Sequence, residues 1–296
     1  MAWVIANLGV LLNGVAVGLL LFMMAVGLTI LLGLLNVLNL AHGSFFLVGA
    51  YLGYRIAGET AATWGSFVAA VGVAMVLGGL LGIGLMMLMR PLIGRGHMDE
   101  ALLTLGLALV ISELLLLTFG KDDHAMAAPG ALAQSVRVAG SSYPAYRLAV
   151  IVVGVVVAAA VWYVLERTSA GAVVRATVAD PQMVEAVGIS VRNVALITFG
   201  VASALAVGSG VLAAPIKGAS AGLGTEILLL ALVVIVVGGV GSVGGTMIGA
   251  LIIGMVENLG VVLMPATASF LLFGAMALII TFRPGGLFPN SAAVGR

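Results

Sequence analysis

The chain contains no cysteine, little charge and few histidines. Without cysteine there can be no disulfide and no thiolate metal site, and three scattered histidines make no ligand cluster. Charged residues make up 8% of the chain, against roughly a quarter in a soluble globular protein, which excludes that class. A net charge of +1 with no basic patch gives a nucleic acid nothing to bind. No Ser/His/Asp set and no carboxylate pair is spaced for acid–base work, so the chain lacks the parts of an enzyme and is expected to bind no cofactor or metal itself. The amino terminus has neither a basic leader nor a small-residue cleavage site, and its apolar run is expected to stay in the protein as a first helix.

What the chain has instead is apolar length. Hydrophobic residues make up 62%, and the mean hydropathy is +1.29. Charge-free runs cover 1–54, 61–89, 148–165, 193–216, 227–256 and 258–282, and most exceed the roughly 20 residues that cross a bilayer core. Alternation of period two is absent, so these runs read as helices rather than barrel strands. The 42 glycines suit close helix packing in lipid. The expectation is an all-α polytopic membrane protein, residues 1–296 as one domain, with about eight or nine transmembrane helices, some of them interrupted, and a polar loop at 166–192.

In chain order, the first run reaches from Trp3 to about Leu35, as one tilted helix or as a helix plus a re-entrant piece. Helices follow over Phe45–Tyr54, Trp64–Met89, Ala101–Phe119 and Leu148–Leu165, with a long polar segment at 120–147. Beyond the polar loop come Asn193–Ala214, a glycine-rich break from Pro215 to Gly224, Thr225–Val237, a second break from Gly238 to Gly245, Thr246–Met264, and a last helix ending before Arg283. With the amino terminus outside, Arg90, Arg95, Arg167, Arg175, Arg192, Arg283 and Arg296 face the cytoplasm, while Arg55, Lys121, Arg137, Arg147 and Lys217 face out. That bias places the polar loop in the cytoplasm.

Asn36, Asn39 and His42 stand three apart, with Gly43-Ser44 following. Two readings stand. On a broken helix they line a solute pathway, because unpaired amides cannot face hydrocarbon; otherwise they belong to a cytosolic turn with asparagine caps. The glycine-rich stretch Gly238–Gly245, with Ser242 inside it, lacks the lysine of a phosphate loop. Its position after an apolar run matches that of 36–44 and hints at a repeat of interrupted helices, although close packing would also explain its glycines. Glu113 and Glu257 fall within predicted spans, where an ionised carboxylate needs a partner or water. Glu113 is the better pathway candidate, since Glu257-Asn258 can lie at an interface.

The stretch from Glu166 to Arg192 holds six charged residues of a chain with only 12 Lys and Arg and 11 Asp and Glu. Asp180-Pro181 reads as a cap and first helical position, Gln182–Val187 as a helix of under two turns, and Gly188 as its left-handed exit. So short a helix needs a surface to dock on. Met183, Val184 and Val187 supply apolar contact, and Arg175, Asp180 and Glu185 can fix its orientation. An interfacial helix would be longer and more basic, which favours docking to a soluble partner.

Several segments in order carry a resemblance. Leu35-Asn-Val-Leu-Asn-Leu-Ala-His-Gly-Ser-Phe-Phe-Leu-Val-Gly-Ala-Tyr51, Arg90-Pro-Leu with Leu103-Thr-Leu-Gly106, Gly171-Ala-Val-Val-Arg-Ala176 with Val187-Gly-Ile189, and Val237–Gly245 resemble permeases of branched-chain amino acid ABC importers. The resemblance implies a second related permease, two cytoplasmic ATPase subunits carrying ATP and Mg, an external solute-binding protein, and a location in the cell (inner) membrane. It implies that 171–188 is the coupling loop seated on an ATPase. Ser44 stands where many relatives carry an acidic residue, and Ala219–Gly224 lacks a proline that often precedes its glycine; the same architecture also serves urea, short amides and aromatic acids. An ion-coupled secondary transporter, with Glu113 as the ion site, is the alternative outside the family, and an assembly protein with no pathway is a third reading.

Overall fold

The computed structural model describes residues 8–58, 62–92, 96–138 and 141–288. Trp3, Arg95 and Arg296, used in the sequence reading, lie outside the described residues. Among the described residues, eleven α-helices run in order: α1 (Leu8–Leu35), α2 (His42–Ala57), α3 (Trp64–Met89), α4 (His97–Phe119), α5 (Ala145–Arg167), α6 (Ser169–Ala179), α7 (Pro181–Ala186), α8 (Val191–Lys217), α9 (Leu223–Gly238), α10 (Val243–Leu263) and α11 (Ala268–Phe282). Between α4 and α5, a short antiparallel hairpin pairs β1 (Ser135–Val138) with β2 (Ser141–Pro144). Six helices, α1, α3, α4, α5, α8 and α10, are long and apolar enough to cross a membrane. The chain is therefore a multi-pass, helical membrane protein. At 16, 16 and 15 residues, α2, α9 and α11 are each about 24 Å long or less, shorter than a bilayer core.

Burial sorts these helices into two classes. The central window of α1 is 89% buried and that of α8 is 72% buried, whereas α4 and α5 are at 6% and 11%. From Leu8 on, the first apolar run is thus one continuous helix at the centre of the bundle, not a lipid-facing one. Its neighbours approach closely because small residues meet backbone. A Cβ at Gly49 of α2 would collide with the Val207 carbonyl of α8, and one at Gly210 would collide with the Phe46 carbonyl, so this pair of helices packs main chain against main chain. The exposed leucines and valines of α3, α4 and α5 form the face suited to lipid or to another membrane protein.

Several boundaries differ from the sequence reading for local reasons. Helix α8 continues through Pro215 to Lys217 and stops at Gly218, which has φ +73°. A proline in the last turn removes one ladder bond without ending the helix, and the glycine is what turns the chain. The break read at 215–224 is therefore confined to 218–222. Thr63 caps α3 through a reciprocal box with Ser66, and that helix matches its expected span.

Candidate functional site

Helix α2 starts inside the protein. His42 Nε2 lies 3.1 Å from the Met24 carbonyl oxygen of α1, and Met24 is about 16 Å along the helix axis from Leu35, where α1 ends. The connecting residues 36–41 therefore run back into the bundle as non-helical backbone that turns at Leu40–Ala41. Asn36 makes the turn at φ +53°, a left-handed conformation that asparagine tolerates better than most residues. Non-helical backbone at such depth persists only where its polar groups are paired by protein. Leu40 N–H donates to Thr104 Oγ1 of α4 at 3.1 Å, and Ala41 N–H donates to Asn39 Oδ1 at 3.0 Å. The Thr104 hydroxyl itself donates back to the Glu100 carbonyl at 2.9 Å.

The three-residue stripe is consequently not one helix face. Asn36 is exposed, with its amide 3.4 Å from His97 Nε2 at the mouth. Asn39 and His42 are fully buried, and Asn39 Nδ2 and His42 Nδ1 have no hydrogen-bond partner in the protein. Ser44 is buried one turn on, its hydroxyl donating to the Ala41 carbonyl at 2.8 Å. Asn39 supports a tight turn within the protein, its side-chain oxygen accepting from Ala41 N–H.

The amino end of α9 meets the amino end of α2. A Cβ at Gly43 would collide with the Gly224 carbonyl, so the two 16-residue helices begin against each other in the interior. Ser242 is elsewhere: it caps α10 by accepting from Gly245 N–H at 3.0 Å. The loop that holds it packs against Gly33 at the end of α1 and against the 285–288 segment. Glu113 lies on the exposed face of α4, apart from Asn39 and His42.

At the bundle end opposite α6 and α7, three helices contribute a charge cluster that sequence reasoning missed. Lys217 Nζ at the end of α8 donates to Glu257 Oε1 of α10 at 3.0 Å and to Glu226 Oε1 of α9 at 3.3 Å. Beside it, Arg147 donates to Asn13, Asn13 donates to Asn258, and Asn258 donates to the Val10 carbonyl at 2.7 Å. Outside the spans, burial pushes the Tyr143 phenol up, an effect that Arg147 opposes. The only sequence signal was that Lys217, Glu226 and Glu257 are isolated charges in otherwise apolar sequence. Their partners lie 9 and 40 residues apart and meet only in the folded bundle.

The polar loop 166–192 forms two helices outside the bundle. Thr168 caps α6, Asp180 Oδ1 accepts from Met183 N–H at 2.9 Å to cap α7, and Pro181 occupies its first turn. Gly188 leaves at φ +86°, where a side chain would be strained. The segment 171–178, unassigned in the sequence, is helical within α6. Arg175 lies 3.8 Å from Glu166, both half exposed, and Glu185 is exposed. Met183 and Val187 are exposed at 62% and 68%, but Val184 is 5% exposed. Val184, grouped with them as a docking contact, instead turns inward: Met183 and Val187 stand four apart and share one face, while Val184, one residue on from Met183, is rotated about 100° away from it toward its own protein.

Among the described residues, no group of three or more His, Asp or Glu could hold a metal ion. The family described as "Branched-chain amino acid transport system / permease component" matches residues 10–281. The chain is similar to the high-affinity branched-chain amino acid transport system permease protein BraD of Pseudomonas aeruginosa, with 26% identity over 94% of each chain. It is also similar to LivH permease proteins of the corresponding system, with 25% identity in Escherichia coli K12 and 24% in Salmonella typhimurium, each over 93% of both chains. No solved structure matches the chain.

Proposed function

The chain belongs to the family of branched-chain amino acid transport system permease components, and from that membership we propose that it forms half of the pathway of an ATP-driven importer. The observation that carries this reading is the pair of capped helices α6 and α7, which stand outside the bundle and present Met183, Glu185 and Val187 to solvent. A transport subunit with no nucleotide loop of its own needs such an element to receive force. Two cytoplasmic ATPase subunits carry ATP and Mg, and 166–192 couples them to the bundle; Arg175, Asp180 and Gly188 hold its shape while Met183 and Glu185 meet the partner. A second related permease completes the pathway, and an external solute-binding protein delivers the solute.

In this reading 1–296 is one permease domain in the cell inner membrane, with α6 and α7 in the cytoplasm. Helices α2 and α9 act as the inner halves of interrupted spans and, together with the short α11, bring the six long helices to nine membrane-embedded helices. Asn39, His42 and Ser44 line the interior where α2 and α9 meet, and Asn36 stands at its mouth. Glu113, on a helix face that its own chain leaves uncovered, is met by the second permease, since an ionised carboxylate facing lipid costs several kcal/mol. ATP binding moves the paired coupling elements as rigid bodies and switches access. Switching requires that each ATPase state hold the loop with different affinity.

The solute class is branched-chain amino acids, as named for the relatives, or related amino acids; urea, short amides and aromatic acids are the alternatives. Co-expression with candidate ATPase and binding-protein subunits tests the assembly. A stable complex whose uptake of leucine, isoleucine or valine needs ATP hydrolysis is expected. A chain that purifies alone and transports under a proton gradient would replace this reading with the ion-coupled one.

A further inference from the structure

The connection between α8 and α9 is strapped down by residues 121–129, a segment in neither helix nor strand. Its two sides are held differently. On one side Ala127 N–H donates to the Gly58 carbonyl at 3.3 Å and, just past the strap, Gly130 N–H donates to the Ala62 carbonyl at 3.1 Å, both acceptors lying between α2 and α3. Met126 is buried on that side, against Gly53 of α2. On the other side, among the described residues, the backbone tie is one pair: His124 N–H donates to the Ala219 carbonyl at 2.9 Å, and Ala219 N–H donates to the His124 carbonyl at 2.8 Å. A Cβ at Gly218 would crowd the His124 carbonyl oxygen at 3.2 Å, so glycine there permits the approach.

The His124 ring sets where that tie falls. Its Nε2 lies 2.9 Å from the Phe119 carbonyl oxygen, and its centre is 4.4 Å from the Tyr54 ring, with Tyr51 and Phe119 edge-on at 5.9 and 6.4 Å. Beneath the strap, 218–222 runs inward from Ala219, which is 1% exposed, to Gly224, whose carbonyl meets Gly43 at the start of α2. That path ends where α2 and α9 meet, beside His42 and Ser44. The strap therefore stands across the approach to the interior from the bundle end opposite α6 and α7.

We infer that 121–129 is a latch, hinged between α2 and α3 and clasped on Ala219, whose release admits solute from the outer face. A segment outside helix and sheet opens locally at lower cost than the elements it joins, and the side tied by one pair gives first. The inference rests on the importer reading for the direction of entry.

An antiparallel pair that exchanges both bonds sets its Cα atoms about 5.5 Å apart, within disulfide reach, and the chain has no cysteine of its own. His124→Cys with Ala219→Cys therefore makes a reversible lock. In proteoliposomes holding the full assembly, oxidation of this double variant is expected to stop ATP-driven leucine uptake and dithiothreitol to restore it, with each single variant insensitive to oxidation. Ala219→Cys alone reports release. A membrane-impermeant methanethiosulfonate reagent, added on the side opposite α6 and α7, is expected to label it slowly without ATP and faster during turnover. In the resting assembly, His124→Ala is expected to speed that labelling about fivefold or more by removing the ring contacts.

Full uptake with the cross-link complete would overturn the latch and leave the importer reading standing. Labelling of A219C unchanged by turnover, or unchanged by H124A, would do the same. Should the double variant fail to assemble, or to transport when reduced, A219C labelling decides. A wild-type assembly without ATP-driven uptake would remove the importer reading; the latch then stands if H124A speeds labelling and falls if it does not.

Discussion

Thr104→Val tests whether the non-helical segment before α2 is held by one side chain of α4. The substitution keeps shape and branching and removes only the hydroxyl. In the wild type that oxygen accepts from Leu40 N–H at 3.1 Å, and Thr104 is fully buried. The loss of the Thr104 donor bond to Glu100 is harmless, because the Glu100 carbonyl lies in its own helix turn. What remains is a backbone N–H with no partner beside a valine methyl group. Leaving such a group unsatisfied costs about 1–3 kcal/mol, enough to shift a folding or conformational equilibrium about fivefold to 150-fold. Asn39→Ala would be a poorer test, since it orphans Ala41 N–H but also removes a buried amide nitrogen that has no partner, and the two effects oppose. Thermal unfolding of the purified permease in detergent is the assay. T104V is expected to melt several degrees lower and T104S to stay near wild type. Equal melting of T104V and wild type would refute the argument that this hydroxyl supports the buried backbone.

Three further outcomes follow from the geometry. Met183→Asp is expected to reduce co-purification of the ATPase subunits while leaving membrane insertion unchanged, and unaltered assembly would show that the exposed face of α7 is not the contact. Asp180→Ala removes the cap of α7 at a cost of about 1 kcal/mol, so ATPase-coupled uptake should fall while D180N, which can still accept from Met183 N–H, retains it; equal loss in both would point to charge instead. Gly49→Leu forces α2 and α8 apart where a Cβ already meets the Val207 carbonyl, and loss of folded protein on gel filtration is expected, against near-normal yield for an Ala at the open Gly72.

The long elements were legible because their signal is local. Trp64–Met89 stands between a capping threonine and Arg90-Pro91, and the structure keeps that span unchanged. Asp180-Pro181 and Gly188 marked α7 with a cap, a first-turn proline and a left-handed exit, each visible in a window of a few residues. What was not legible depends on distance in the chain. The depth of α2 follows from His42 meeting Met24 and from Thr104 pairing Leu40, contacts that no periodicity in 36–44 could announce. The central position of α1 was hidden for a different reason, since a helix buried in protein and one buried in lipid are equally apolar. Glu257 was set behind Glu113 because Glu257-Asn258 can lie at an interface; only the fold brings Lys217 to the first and leaves the second on an uncovered face. The hairpin Ser135–Val138 with Ser141–Pro144 is too short for alternation to stand out from a polar loop.

The central claim is that α6 and α7 receive the work of ATP hydrolysis for a pathway formed by this bundle. Uptake of radiolabelled leucine into proteoliposomes holding the full assembly tests it most directly, with ATP supplied only on the side that carries α6 and α7 and loaded binding protein on the other. The account predicts ATP-dependent accumulation that Met183→Asp abolishes and a protonophore does not. Accumulation that continues without ATP and collapses with the protonophore would contradict it.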